Sequence, residues 1–337
     1  MYLYRPALIL FFALLFTTAA AQATTFKIAT IAPDGTTWMK EMRAGAKLIE
    51  EKTEGRVELK FYPGGVMGNY RSVMKKIRLG QLQGGAMTGG ELSSVYPDMQ
   101  VYSLPLVFDS YAEIDFVRPR IDPLLKKGLE EKGFVCLGIS EGGFAYLMSN
   151  TPIKSIPELQ SHKVWIPEND RLSDALFKKM GVSPIPLPLP DVYTGLQTGL
   201  INTVGGTPMG ALAFQWHTRL GAITDVPLGY LIGVLVVDKK SFDRISPADQ
   251  KIVKDVMNDI FKRMDTLNRE DNIKAIEALK NQGIQFVSPS KEELALWKKY
   301  AREVIEEAGT IASSPAIHGK VQELLIEYRQ QQLKTAP

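Results

Sequence analysis

Ser246-Pro247-Ala248-Asp249 is a strong helix start: a Ser cap, Pro in the first turn and an acid at the third helical position. Helical periodicity then runs to about Asn281. A helix of roughly 35 residues is about 50 Å long at 1.5 Å per residue, more than the width of a single small lobe. The length of the chain also favours two lobes over one core. The helix is therefore expected to bridge both.

The segments around it alternate between strand and helix patterns. Residues 26–31 form a strand, Pro33-Asp34-Gly35 punctuates it, and Thr36 or Thr37 caps a helix with Trp38, Met42, Ala46 and Ile49 at helical spacing. Residues 56–61 alternate as a strand, 70–79 read as a second helix, and 84–88 as a small buried strand. This order predicts an α/β fold with a largely parallel sheet. A second α/β series begins near Gly142. Strands are expected over 144–148 and 163–166, a helix over 172–180, and an extended proline-bearing stretch over 185–189. A helix then runs from Asp191 towards Thr198, a buried strand covers 229–237, and 291–332 is helical. The expected division is a signal peptide over 1–23, a first lobe from 24–143 plus about 229–265, and a second lobe from 144–228 plus about 283–337. The long helix, about 247–281, joins them.

The N-terminus reads as an export signal. Arg5 gives the positive start, residues 7–16 are unbroken apolar, and Ala21-Gln22-Ala23 fits the small-x-small cleavage pattern. The apolar run is shorter than the roughly 18–20 residues a membrane-crossing helix needs. No cysteine near the cut offers a lipid attachment point, which favours confinement in a Gram-negative periplasm. The one cysteine, Cys136, has no partner for an internal disulfide and reads as a buried small hydrophobe. Basic and acidic residues are mixed throughout at a net charge of +3, with no nucleic-acid footprint. The three histidines, His162, His217 and His318, are scattered without metal-ligand spacing. There is no nucleophile elbow, P-loop or dinucleotide fingerprint, and Gly89-Gly90 and Gly205-Gly206 are isolated pairs. An exported two-lobe chain without catalytic motifs or cofactor signature is read as a binding protein and not an enzyme, with a small-molecule ligand between its lobes.

Several ordered motifs resemble one family. Tyr62-Pro63-Gly64-Gly65 with Met67-Gly68, Leu104 to Phe108, Ile153-Lys154-Ser155 with Leu159, and above all Asp191-Val192-Tyr193-Thr194-Gly195-Leu196-Gln197-Thr198-Gly199 are similar to the dicarboxylate-type solute-binding subunits of TRAP (tripartite ATP-independent periplasmic) transporters. The resemblance implies a two-lobe clamshell with a long helix along both lobes. It also implies a small and a large membrane subunit as partners, and transport driven by an ion gradient.

The departures from the family pattern bear on the ligand. Members usually carry an arginine that pairs bidentately with a ligand carboxylate in the strand corresponding to Lys163-Val164-Trp165-Ile166-Pro167-Glu168-Asn169, and here Trp165 holds that position. Ala145 stands where many members have a second arginine, and Gly206 aligns with a ligand-binding asparagine. Losing one partner of a buried charge pair costs roughly 3–5 kcal/mol, so a neutral or largely apolar ligand is expected. The segment 207–216 adds Met209, Phe214 and Trp216 to a region that could line the cleft, although ordinary core or interface packing is the favoured explanation of these three. The candidate ligand-binding residues are Trp165, Ala145, Glu91, Gly90, Glu168, Leu189, Gly206, Thr207, Trp38 and Met209. Two alternatives stay open: a carboxylate held by a relocated Lys163 or Arg171, and an amine held by Trp165 with Glu91 or Glu168. A periplasmic sensor or carrier is the competing function.

Overall fold

The computed structural model of the chain describes residues 23–168 and 170–335. The export-signal features lie outside these residues, apart from Ala23. The strands are β1 (Thr24–Thr30), β2 (Val57–Tyr62), β3 (Gly84–Thr88), β4 (Phe134–Ser149), β5 (Trp165–Pro167), β6 (Ile185–Leu187), β7 (Thr203–Gly206), β8 (Ala222–Asp238) and β9 (Gln285–Val287). The helices are α1 (Thr37–Lys52), α2 (Tyr70–Arg78), α3 (Gly89–Leu92), α4 (Tyr111–Glu131), α5 (Ile156–Leu159), α6 (Arg171–Lys179), α7 (Val192–Thr198), α8 (Pro208–Ala213), α9 (Lys239–Phe242), α10 (Pro247–Asn281), α11 (Lys291–Ala308) and α12 (Pro315–Thr335).

The main sheet has the order β2-β1-β3-β8-β4-β7, with β9 beside β8, and β5 and β6 form a separate parallel pair. β1 runs parallel to β2 and β3, as expected of βαβ units. The β3–β8, β8–β4 and β4–β7 pairs are antiparallel. The expectation of a largely parallel sheet is thus corrected to a mixed one. The cause is that β4 and β8 run the whole way between the lobes in opposite directions. Their expected pieces, 144–148 and 229–237, are only parts of strands that reach Phe134 and Ala222.

This pairing builds the two lobes. At one end β3 pairs with β8 from Gly84↔Val237 to Thr88↔Gly233. At the other, β7 pairs with β4 from Tyr146↔Gly206 to Ser149↔Thr203, and β9 pairs with β8 at Ala222–Thr224. Between the ends the β4–β8 register breaks at Glu141/Gly143 and again at Ala145/Leu147. Bulges bend and twist a strand, so the two strands turn as they cross.

The third crossing element is α10. Ser246 Oγ accepts from Asp249 N at 3.1 Å, Pro247 occupies the first turn, and the helix runs 35 residues as its sequence predicts. Val253, Val256, Met257, Ile260, Phe261 and Met264 bury against Ile28, Met42 and Leu235 on the first lobe. Leu279, near its end, packs with Trp165, Val204 and Ile223 on the second. Cys136, expected buried, is half-buried in β4. Among the described residues no helix is long and apolar enough to cross a membrane.

Candidate ligand-binding site

A cavity of about 220 Å³ lies where the lobes meet. The first lobe gives it the end of β1 with the loop after it, and the first turn of α1. Thr36 caps that turn, its Oγ1 accepting from Met39 N at 3.3 Å. This leaves the Thr37 hydroxyl to donate to Asp271 Oδ2 on α10 at 2.6 Å. Trp38 also lines the cavity and stands edge-on to Phe61, with centroids 6.2 Å apart. The second lobe contributes the start of α8. Thr207 caps it by accepting from Gly210 N at 3.0 Å, and Met209, Ala213 and Phe214 face the cavity.

Polar side chains of α10 close the wall at the crossover. Asn272 is 4% exposed, and it donates to Gly142 O at 2.9 Å and accepts from Met209 N at 3.2 Å. Asn268 donates to Glu141 O at 2.7 Å. Positions 268, 271 and 272 share one helix face at i, i+3 and i+4, and all three line the cavity.

The Glu141 carboxylate is 3% exposed yet ionically satisfied. Arg269 donates to it through Nε at 3.1 Å and through Nη2, and Arg118 Nη1 lies 3.8 Å away. Arg269 also pairs with Asp115 at 2.8 Å and lies over the Tyr111 ring at 4.4 Å. Arg118 bonds Asp265 at 2.9 Å and Ile139 O at 3.0 Å. The Asp115 and Glu141 carboxylates beside Arg269 raise its pKa further above the ordinary guanidinium value. These charges tie α4, α10 and β4 together. Among the described residues that line the cavity, Glu141 and Asp271 are the ionisable ones, and none is a lysine or arginine.

Of the sequence-predicted set, Trp38, Thr207 and Met209 line this cavity. Glu91 lines a hole of about 10 Å³ beside it, sharing Thr30, Ile31, Ala86 and Met87 as a common wall. Burial pushes the Glu91 carboxyl up, while hydrogen bonds from Thr88 N and Oγ1, at 2.9 and 3.1 Å, oppose that. Gly90 is exposed at the start of α3. Trp165 is 5% exposed, donates its indole N–H to Leu187 O at 3.0 Å, and meets the edge of Trp216 at 5.7 Å. Trp216 in turn stacks on the cavity-lining Phe214 at 5.5 Å. Ala145 is buried in β4 opposite Gly229, and Gly206 lies under Trp216 at the end of β7. Leu189 and Glu168 are half-buried outside the cavity wall. Lys163 is exposed, with its ammonium on Gly199 O at 2.9 Å, and Arg171 is exposed at the start of α6. Neither reaches the cavity. Asn268, Asp271 and Asn272 were not anticipated. Their signal is a polar i, i+3, i+4 face midway along a bridging helix, where an apolar stripe would otherwise be expected.

The sequence matches the family described as bacterial extracellular solute-binding protein, family 7, over residues 28–310. It is 25% identical over 243 residues to the 2,3-diketo-L-gulonate-binding periplasmic protein YiaO of Escherichia coli, covering 72% of this chain and 74% of that protein. It is also 25% identical over 268 residues to the C4-dicarboxylate-binding periplasmic protein DctP of Rhodobacter capsulatus, covering 77% and 79%. Among solved structures, the sugar acid binding protein DctPAm of Advenella mimigardefordensis, in complex with galactonate, superposes with a TM-score of 0.83 at 18% identity, over 90% of this chain and 98% of that one. A TRAP periplasmic solute-binding protein of Sulfurospirillum deleyianum, with bound succinate, gives 0.80 at 24% identity, over 90% and 99%. At these identities the superpositions show a shared two-lobe fold. The motif resemblance to TRAP solute-binding subunits therefore holds, and the match over most of its length places the chain in family 7 of the bacterial extracellular solute-binding proteins.

Proposed function

We propose that the protein captures a neutral or largely apolar small molecule in the periplasm. It hands that molecule to the small and large membrane subunits of a TRAP-type transporter, without chemical change. The lobes are residues 24–143 with about 229–265, and 144–228 with about 283–337, bridged by the long helix. The ligand lies between them against Trp38, Thr207 and Met209.

One observation carries the ligand class: the cavity wall is largely apolar, with Trp38, Met209, Ala213, Phe214 and Val234, and among the described residues it has no lysine or arginine. Several solved neighbours hold acids, among them galacturonate, orotic acid and succinate. A buried carboxylate needs a counter-charge. Here it would instead meet Asp271. Two like charges about 5 Å apart at an effective dielectric near 20 repel by about 3 kcal/mol, roughly a hundredfold in affinity.

Calorimetry on the wild-type protein with succinate and galacturonate tests this. No saturable binding is expected from either. Tight binding of one of them removes the neutral or largely apolar reading and leaves the family assignment intact. Mass spectrometry of whatever co-purifies from the periplasm is expected to identify a species without a carboxylate.

A further inference from the structure

The two acidic residues lining the cavity are not equivalent. Glu141 is neutralised by Arg269 and Arg118. Among the described residues no lysine or arginine forms an ion pair with Asp271, and the one hydrogen bond to its carboxylate is the Thr37 hydroxyl on Oδ2. Asp271 is half-buried and lines the cavity. A half-buried carboxylate facing a ligand space without a counter-ion is an uncompensated negative charge. Thr37, in the first turn of α1, holds that carboxylate oxygen by donating to it at 2.6 Å.

The apolar wall around it has a matching chemistry. Trp38 follows Thr37 in the chain and lines the same cavity, and Phe214 lines it from the position just after α8. Aromatic faces attract cations, tryptophan most strongly. An ammonium donates charge-assisted hydrogen bonds to a carboxylate. We propose that Asp271 receives a protonated amine, so that the ligand is an apolar body ending in one ammonium group, with its carbon skeleton against Trp38 and Phe214. This rests on the reading of the cavity as the ligand site and sharpens the polar end of a largely apolar ligand. It places the amine on Asp271 and not on Glu91 or Glu168, which lie outside the cavity wall.

The test uses probes that share a skeleton and differ in charge: 2-phenylethylamine, 2-phenylethanol and 3-phenylpropanoate, with the matching cyclohexyl compounds. Calorimetry and thermal shift are run on the full mature protein, on Asp271→Asn and on Asp271→Glu. The amine of at least one skeleton is expected to bind tenfold or more tightly than its alcohol. Asp271→Asn should abolish that preference, and Asp271→Glu should keep part of it. No preference for amine over alcohol, or a preference that Asp271→Asn leaves unchanged, overturns the assignment of Asp271 while the apolar-ligand reading stands. Acids binding more tightly than both overturns the two readings together.

Discussion

At the residue scale, Trp165 acts through its neighbours. Its N–H is spent on Leu187 O and its ring edge on Trp216, which stacks on Phe214 at the cavity wall. Trp165→Ala removes the first member of this chain and leaves a void in a packed core. A Trp→Ala change in a core costs about 3–5 kcal/mol. The urea midpoint of the variant is expected to fall accordingly, with ligand affinity weakened to a lesser degree through a loosened Phe214. An unchanged midpoint together with lost binding would return Trp165 to direct ligand contact. The presence of Trp165 in the strand where the family resemblance implies an arginine was legible in the sequence. Its direction was not. Alternation along a strand tells which residues share a face, but not whether that face meets a cleft or a core. Asp271 was illegible for a related reason: a charged residue on a long helix reads as solvated until the helix is known to pass a cavity.

At the element scale, the crossover depends on backbone that few residues adopt. Gly143 sits at a register break of β4 with φ +102°, and a Cβ there would lie 2.7 Å from Asn272 Nδ2. Gly143→Ala therefore strains the strand and pushes on the side chain that joins α10 to Gly142 and Met209. A residue held in such a region costs of order 1–3 kcal/mol. The variant is expected to lose that much stability and to exchange the α8 and mid-α10 amides faster in hydrogen-exchange mass spectrometry. Unchanged exchange in both segments would show that Asn272 does not couple them. The bounds of α10 were legible because its start carries a Ser cap and Pro in the first turn, signals that act locally. The lengths of β4 and β8 were not. Their middle parts contain Gly142, Gly143 and Pro227, which read as chain breaks, and only pairing across the two strands reveals continuity. α4 was missed for the same reason, since Pro119 and Pro123 lie inside it.

At the scale of the whole molecule, three elements and one core cross between the lobes. β4, β8 and α10 each contribute to both ends of the sheet or both faces of the fold. A single buried cluster also runs from Val73, Met74 and Ile77 beside β3 to Leu172, Leu176 and Val304 in the second lobe. Two lobes joined by short flexible linkers unfold separately, because few contacts are lost at the boundary. Here, unfolding one lobe would strip the apolar face of α10 and open the β4–β8 ladder of the other. The free energies of opening should therefore be shared. In hydrogen exchange measured across a urea series, the most protected amides of β1 and of β7 are expected to converge on one free energy and one urea dependence, as for a single cooperative unit. Convergence should persist when ligand is added, with both values rising together, since a ligand held between the lobes stabilises the joint folded state. Two separate isotherms, with β7 opening at lower urea than β1 while β1 stays protected, would mean that the crossing elements transmit little energy and that each lobe stands on its own core.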